Sequence, residues 1–155
     1  MKLLHLSDLH LGKKLNEFSL YEDQKYILQR IIQMICAKQP DCVLLAGDIY
    51  DKPVPPAEAV VLFDDFLNQL AELKVPVCII SGNHDSAERL AFGAQLMSSS
   101  GVHFAGSYNG QPQQLVLEDE FGKVNIFLLP FLKPAVVKHW APEEAAAEIH
   151  AITMR

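Results

Sequence analysis

The sequence predicts an α/β fold in which a mainly parallel central sheet is flanked by helices. In the first hundred residues, short apolar runs alternate with segments whose apolar residues recur at helical spacing. The run at 42–46 is continuously apolar, which is typical of a strand buried on both faces. Strands that are joined through helices form right-handed crossovers onto a parallel sheet. With 155 residues, 50% of them hydrophobic, the chain can bury the core of one such domain.

Six elements are predicted in the first half of the chain. They are a strand at 3–6, a helix at 21–37, a strand at 42–46, a helix at 57–73, a strand at 76–80 and a helix at 86–97 that divides around Gly93. Ile27, Ile31 and Ile35 lie on one face of the first helix, and Pro40 ends it. Pro56 suits the first position of the second helix, where the amide hydrogen that proline lacks would have no partner.

The second half of the chain is predicted to contain shorter strands, separated by glycine, asparagine and acidic turn residues. These strands lie at 102–105, 114–117 and 124–129. They either extend the first sheet or begin a second one. Pro130 and Pro134 bracket a predicted loop, and residues 142–154, which are rich in alanine and glutamate, are predicted to form a helix.

The charge balance limits the kinds of partner that the chain can bind. Thirteen Lys and Arg residues against nineteen Asp and Glu residues give a formal net charge of −6. A broad basic surface for nucleic acid is therefore not expected, and a DNA contact would need a local basic strip or bound cations. Lys13 and Lys14 are candidates for such a strip, although lysines in a polar loop are more often simply solvated.

The cysteines and the apolar runs indicate the compartment. The three cysteines form no Cys-x-x-Cys pair, which excludes zinc fingers and disulfide scaffolds. Cys42 and Cys78 lie in apolar runs, as core residues of a protein in a reducing compartment do. No apolar run approaches the roughly 20 residues that span a bilayer, and Asp8 and His10 interrupt the N-terminal run too early for a signal peptide. We therefore expect a cytoplasmic protein that does not enter a membrane.

Three polar clusters follow three of the predicted strands. They are Asp8-Leu9-His10, Gly47-Asp48 with Asp51, and Gly82-Asn83-His84-Asp85. Because ligands of open α/β sheets gather outside the carboxyl ends of the strands, we expect all three clusters to meet at one rim. Each cluster alone is weak evidence, since a surface Asp-x-His, a Gly-Asp turn and turn-forming Asn and Asp residues are all common. The three together, in this order, favour a metal site.

The residue types in the clusters suit hard or borderline divalent cations. Asp8 and His10 are two positions apart, so in an extended chain both side chains point to the same side. The carboxylate of Asp48 can bridge two cations, and Asn83 offers an amide oxygen. Oxygen and imidazole ligands without thiolate favour Mn²⁺, Mg²⁺, iron or Zn²⁺ over copper. Two cations about 3.5–4 Å apart are a common arrangement for phosphoryl transfer.

These clusters resemble the first three motifs of the calcineurin-like metallophosphoesterases. Within that superfamily, three segments resemble the SbcD-type DNA exonucleases, the nuclease subunits of SbcCD complexes. The segments are HLSDLHLG at 5–12, GDIYDKPVPP at 47–56 and PFLKP at 130–134. The resemblance implies a layered metallophosphoesterase fold and Mn²⁺-dependent hydrolysis of DNA at duplex ends, with endonuclease activity on hairpins, in DNA repair, recombination and replication.

The resemblance also implies a ligand set for two divalent cations, with Mn²⁺ as the first choice and Mg²⁺ as an alternative. Asp8 and His10 correspond to ligands of the first metal. Asp48 corresponds to the ligand shared by both metals, and Asn83 to a ligand of the second.

Two further residues correspond to catalytic positions of the family. His84 is not expected to be a ligand; it corresponds to the imidazole that stabilises the transition state or protonates the leaving oxygen. Asp51 is expected to orient His84 through a carboxylate hydrogen bond. The alternative for Asp51 is a solvated turn residue.

The sequence also departs from the family pattern. It lacks the later Gly-His and Gly-His-x-His motifs, since none of the four remaining histidines follows a glycine. These histidines are His5, expected to be a core or hydrogen-bonded residue of the first strand, His103, expected in a strand, and His139 and His150, expected on the surface or in a helix. We therefore expect residues 1–155 to be the N-terminal part of a nuclease domain with an incomplete fold. Weak metal binding, an under-occupied second site and little activity of the chain by itself are expected to follow.

Partners and alternative functions follow from the same resemblance. It implies a homodimer and an SbcC-type ATPase subunit. The helix at 57–73 is broadly apolar around Val60 and Val61, which fits either a dimer contact or coverage by the sheet. The alternatives are a metallophosphoesterase for a small nucleotide or a phosphoprotein, which the acidic net charge mildly favours, and a non-catalytic folding or dimerisation module.

Overall fold

A four-stranded parallel sheet forms the centre of the fold, in the strand order β1-β4-β5-β6. The computed structural model describes residues 1–140. The strands are β1 (Leu3–Leu6), β2 (Lys14–Leu15), β3 (Phe18–Ser19), β4 (Cys42–Ala46), β5 (Val77–Ile80), β6 (Val102–Phe104), β7 (Gln113–Asp119) and β8 (Gly122–Leu128). The helices are α1 (Tyr21–Lys38), α2 (Ala57–Glu72), α3 (Ala87–Leu90), α4 (Ala94–Ser98) and α5 (Pro134–Trp140). The predicted α/β class with a parallel sheet and flanking helices is confirmed.

The predicted elements of the first half are confirmed with small shifts at their ends. Helix α1 ends one residue later than predicted, where Gln39 takes a left-handed conformation with φ 47°. Pro56 is the N-cap of α2 and not its first helical residue, because its ψ of 152° is extended. The predicted division of the third helix is also confirmed, since Gly93 with φ 76° separates α3 from α4.

The later strands both extend the first sheet and form a second one, which were the two alternatives left open by the sequence. Strand β6 extends the central sheet beside β5. Strands β7 and β8 pair antiparallel in a separate two-stranded sheet.

Two elements were not predicted from the sequence. A short hairpin, β2–β3, follows the first polar cluster. Helix α5 begins at Pro134, where a loop was predicted, because proline is tolerated in the first turn of a helix as well as in loops. The predicted helix at 142–154 lies outside the described residues.

Apolar side chains cover the central sheet on both faces. On one face, Val43, Leu45 and Ile79 pack with residues of α1 and α2, including the buried Phe66. On the other face, a second cluster joins the sheet to the β7–β8 pair. Its buried members are Cys42, Cys78, Ala105 and Leu128. The prediction that Cys42 and Cys78 are core residues is confirmed.

The histidines outside the polar clusters differ in their surroundings. Of the two alternatives for His5, a core residue or a hydrogen-bonded one, the first is wrong, since its side chain is exposed. Strand β1 is an edge strand, and its alternation directs Leu4 and Leu6 towards the helices, which leaves His5 on the other face. His103 lies in β6 and His139 is exposed in α5, as expected. His150 lies outside the described residues.

Helix α2 is mostly covered by its neighbours. Leu62, Phe63 and Phe66 are buried, whereas Val60 and Val61 are exposed. Coverage by the sheet and the adjacent helix therefore explains most of the broad apolar face, and two valines stay uncovered. Within residues 1–140, no helix is long and apolar enough to cross a membrane.

Candidate metal centre

The loops that follow β1, β4 and β5 meet at the carboxyl edge of the central sheet. The amide of Asp8 donates to the carbonyl of Gly47 at 3.2 Å, and the amide of His10 donates to the carbonyl of Asp48 at 2.9 Å. The amide of His84 donates to Oδ1 of Asp48 at 3.0 Å. The three polar clusters therefore form one continuous hydrogen-bonded rim.

His10, Asp48 and His84 form a group whose potential ligand atoms all lie within 4.8 Å of one another. Nε2 of His10 is 3.7 Å from Oδ1 of Asp8 and 3.9 Å from Oδ2 of Asp48. These distances are too long for hydrogen bonds. They are a few tenths of an ångström longer than the roughly 3.0–3.4 Å that separates adjacent ligand atoms of one cation with bonds of about 2.1 Å.

The second nitrogen of His10 has no hydrogen bond. Among the buried side-chain nitrogen and oxygen atoms of residues 1–140, Nδ1 of His10 is the one without a partner. It lies 3.6 Å from Oδ1 of Asp51. A carboxylate in this position is common behind a metal-binding histidine, where it receives the N–H of the ring nitrogen that faces away from the metal. The donor set and the unpartnered nitrogen together fit a divalent cation beside His10.

The contact between Asp51 and His84 differs from the expected one. A hydrogen bond between the two residues exists, but the main-chain carbonyl of Asp51 makes it with Nδ1 of His84, at 2.9 Å. The expectation that the Asp51 carboxylate orients His84 is therefore wrong, because this carboxylate is turned towards His10.

The backbone around the site adopts an unusual conformation. Asp8, His10 and Asp48 have φ values of 57°, 44° and 49°, in the left-handed region that residues other than glycine rarely enter. The extended-chain argument for Asp8 and His10 is therefore wrong, although both side chains approach the rim. Such strained residues persist where surrounding contacts hold them, and they cluster at functional sites.

Asp48 is buried, and two glycines make room for it. Gly47 has φ 85°, and a Cβ atom on Gly82 would overlap the Asp48 carboxylate. The two loops therefore touch through glycine backbone, which brings the Asp48 carboxylate close to the rings of His10 and His84. Those two rings lie 4.9 Å apart and nearly perpendicular, at 88°.

Sequence reasoning missed the role of Gln24, a buried polar residue of α1 with 9% exposure. Its Nε2 donates to the carbonyls of Leu9 at 3.3 Å and His10 at 2.7 Å. Its Oε1 accepts from the amide of Gly12 at 3.1 Å. The side chain therefore holds the loop that carries Asp8 and His10. The available signal was the position of this polar residue one turn before Leu28, on the apolar stripe of the helix.

The structural role of Asp85 was also missed, since its position in the sequence suggested only a turn. It is 6% exposed, and its carboxylate accepts three main-chain hydrogen bonds. Oδ2 accepts from the amides of Ile49 at 3.1 Å and Gly82 at 2.9 Å, and Oδ1 accepts from the amide of Tyr50 at 2.9 Å. This carboxylate thus fastens the loop after β4 to the loop after β5. Burial, followed by the charges of Asp85 and Asp64, raises the pKa of Tyr50 to about 12.

The surroundings of His84 favour its protonated form. The hydrogen bond to the Asp51 carbonyl raises the pKa of His84 and outweighs the desolvation that lowers it. The negative charges of Asp48, Asp51 and Asp85 act in the same direction. A carbonyl oxygen can only accept, so Nδ1 carries a proton and Nε2 is the nitrogen that changes its protonation state.

The other residues expected at the site lie in the same loops or close to them. Asn83 and Asp8 are exposed at the rim. The PFLKP segment at 130–134 lies beside the His84 loop, since the amide of Phe131 donates to the carbonyl of Ser81 at 2.9 Å. A cavity of about 370 Å³ lies between this segment and the residues that follow Gly82.

Comparison with known families agrees with this geometry. The sequence profile of the calcineurin-like phosphoesterase family matches residues 1–144. The chain belongs to this family. Its class is that of metal-dependent phosphoester hydrolases, and the group of His10, Asp48 and His84 is the candidate metal site within it.

Proposed function

We propose that this chain supplies metal-binding and catalytic residues of an SbcD-type nuclease, which hydrolyses phosphodiester bonds at DNA duplex ends and in hairpins during repair and recombination. The observation that carries the proposal is the approach of His10, Asp48 and His84 within 4.8 Å, in a chain of the phosphoesterase family. The choice of the SbcD branch is supported by the three segments quoted above. One of them contains His10, another contains Asp48, and the third lines the cavity that lies beside the loop of His84.

The ligand roles are part of the proposal. Asp8 and His10 would hold one cation, Asp48 would bridge, and Asn83 would hold the second. Mn²⁺ is proposed because the chain resembles SbcD-type nucleases, and carboxylate, amide and imidazole donors are compatible with it. When bound, such cations supply Lewis-acid stabilisation of the negative charge that builds up on the phosphoryl oxygens.

His84 is proposed as the residue that moves a proton. Its Nδ1 is occupied by the hydrogen bond to the Asp51 carbonyl, at 2.9 Å. This bond fixes the ring, and the raised pKa increases the fraction of the imidazolium form at neutral pH. The proton on Nε2 can then pass to the sugar oxygen that leaves the phosphorus.

The number of ligands in this chain limits its affinity for metal. Octahedral cations use about six ligands each, whereas the proposal assigns Asp8, His10 and Asp48 to one cation and Asp48 and Asn83 to the other. The chain also lacks the Gly-His and Gly-His-x-His motifs of the family pattern. We therefore propose weak metal binding, weaker at the Asn83 site, and low activity of this chain by itself.

The proposed partners follow the nuclease assignment. They are DNA, a second copy of the chain and an SbcC-type ATPase, in the cytoplasm. The exposed side chains of Val60 and Val61 on α2 are a proposed contact between copies. Sedimentation of wild type and a Val60→Ser/Val61→Ser variant tests this contact. If the contact exists, the variant should lose self-association.

A substrate comparison tests the proposed activity. With Mn²⁺, the purified chain should release nucleotides slowly from a blunt DNA duplex, and Asp48→Ala should abolish the release. His103→Ala, a change of a β6 histidine away from the rim, should have no effect. Hydrolysis of a chromogenic phosphate monoester without cleavage of DNA would contradict the nuclease assignment. Rapid degradation of DNA would contradict the proposed low activity.

A further inference from the structure

The β2–β3 hairpin projects two apolar side chains that the core does not use. Leu15 and Phe18 are direct cross-strand partners, and they are 62% and 78% exposed. Neither belongs to the two core clusters of the described residues. Because cross-strand partners point to the same face of a ribbon, they form one apolar surface. We call this pair, Leu15 and Phe18, the hairpin tip.

The turn of the hairpin presents the tip in a defined geometry. Asn16 and Glu17 connect the strands with φ values of 46° and 69°, and left-handed φ at both central residues is the requirement of a type I′ turn. Glutamate is an unfavourable residue in such a turn, because at left-handed φ its Cβ atom crowds the following carbonyl oxygen. The base of the hairpin is fixed by the buried Leu11 and by the amide of Leu20, which donates to the carbonyl of Lys13 at 3.2 Å.

The hairpin emerges directly from the candidate metal centre. The amide of Lys13 donates to the carbonyl of His10 at 3.1 Å. Lys13 and Lys14 are both exposed. In a chain of net charge −6, they place two adjacent positive charges beside the candidate metal centre. Because successive residues of a strand point to opposite faces, Lys14 lies on the face opposite Leu15 and Phe18. Glu17 is the one acidic residue between Lys13 and Ser19.

We propose that the hairpin binds the single-stranded end of a DNA substrate. Lys13 holds a backbone phosphate next to the scissile bond, and Phe18, supported by Leu15, stacks on a base of the same strand. Binding of single strands typically combines positive charge along the backbone with aromatic side chains that stack on bases. This inference rests on the proposed action on DNA.

DNA fits this surface better than other occupants. A small phosphoester held beside His10 would have no group that extends along the hairpin to Phe18. A lipid surface or a second copy of the chain could cover the apolar tip. Neither would explain why Lys13 and the tip continue from the same loop as the metal ligands.

Fluorescence anisotropy with a labelled oligo(dT) strand tests the proposal. The whole chain is used in EDTA at low salt, so that binding is measured without cleavage. Phe18→Ala should weaken binding roughly ten-fold or more, since a stacked base contributes substantially to affinity. Phe18→Tyr should bind as wild type does, because it keeps the ring. Phe92→Ala, which removes a comparably exposed phenylalanine after α3, is the matched control and should have no effect.

The role of Lys13 is tested through the salt dependence. Lys13→Gln should reduce the slope of log affinity against log salt concentration by about 0.7, since each phosphate contact with a single strand contributes about that much. Lys14→Gln, on the opposite face of the hairpin, is the matched control and should leave the slope unchanged. An unchanged slope in Lys13→Gln would overturn the phosphate role of this lysine.

Three outcomes would overturn the role of the tip. If Phe18→Ala binds oligo(dT) as tightly as wild type, the tip is not a DNA contact, although the proposed nuclease function stands. If wild type binds no DNA, both proposals fail. If Phe18→Ala keeps DNA binding but loses self-association in sedimentation, or loses binding to phosphatidylglycerol vesicles, the tip serves that other occupant.

Discussion

The main-chain carbonyl of Asp51 accepts a hydrogen bond from Nδ1 of His84 at 2.9 Å, while the carboxylate of Asp51 faces His10. One residue thus contacts both histidines of the candidate site, through different groups. The carbonyl fixes the proton on Nδ1 of His84, and the carboxylate lies beside the unpartnered Nδ1 of His10.

The titration of His84 tests whether the carbonyl of Asp51, and not its carboxylate, acts on His84. In Asp51→Asn, the pKa of His84 should fall slightly and stay above the ordinary histidine value, because the largest cause of its rise is the main-chain hydrogen bond. NMR titration of the metal-free protein measures it, with His103 as the internal reference. A pKa at or below the ordinary value in Asp51→Asn would show that the carboxylate dominates.

The raised pKa of His84 also sets the sign of a pH effect on stability. A group whose pKa is higher in the folded than in the unfolded state stabilises the fold most at pH values below its unfolded-state pKa. For His84 the unfolded-state pKa is near 6.5. This contribution is lost as the pH rises through the folded value. Denaturant unfolding of wild type and His84→Ala should therefore differ more at pH 5.5 than at pH 8. The reverse order would contradict the assignment.

Gln24 should affect metal binding more than an ordinary helix residue does. Gln24→Ala removes three hydrogen bonds to the loop of Asp8 and His10 and should cost about 1–3 kcal/mol of unfolding free energy. The affinity of the Gln24→Ala variant for Mn²⁺ should fall about 10- to 100-fold, as is typical when hydrogen bonds that orient metal ligands are lost. Gln29→Ala, on the exposed side of α1, is the control. Equal affinities in the two variants would refute the role of Gln24.

Asp85 should be the more important residue for stability. Asp85→Ala leaves the buried amides of Ile49 and Tyr50 and the half-buried amide of Gly82 without their acceptor, which should cost about 3 kcal/mol or more. Asp65→Ala, an exposed change on α2, should be nearly neutral. Urea unfolding gives both values, and a loss below 1 kcal/mol for Asp85→Ala would mean that water replaces the carboxylate.

Gly82→Ala tests the close approach of the two loops. The added methyl group would overlap the Asp48 carboxylate and displace it, so Mn²⁺ affinity should fall at least ten-fold. Gly106→Ala is the control, because its Cβ would meet Ala91 at an ordinary 3.6 Å. Calorimetric titration distinguishes the two, and unchanged affinity in Gly82→Ala would show that the loops separate readily.

The meeting of the three polar clusters at one rim was predictable from the sequence, because it follows from the order and direction of the strands. Alternating strands and helices force the ends of β1, β4 and β5 to one edge, so the clusters that contain Asp8, Asp48 and His84 had to meet there. The supporting residues were not predictable in this way. Gln24 and Asp85 bind main-chain groups of distant loops, and such partners leave no periodic pattern in the sequence.

Local structure was missed where its sequence signal was weak. The turn of the β2–β3 hairpin is Asn16-Glu17 and not the Asn-Gly pair that marks such turns, and its strands have two residues each. Pro134 starts α5, but prolines also occur in loops, and the sequence alone did not separate the two. The left-handed φ values of Asp8 and His10 occur in a loop that bonds to Gly47 and Asp48, after β4, and to Gln24 of α1. Such distant contacts leave no local pattern in the sequence.

The metal centre depends on Asp48 and His10 binding one divalent cation together. Calorimetric titration of the chain with Mn²⁺, beside Asp48→Ala and the control Asp65→Ala, is the decisive measurement. Weak binding is expected for wild type and Asp65→Ala, and none for a folded Asp48→Ala. Superimposable titrations of wild type and Asp48→Ala would contradict it.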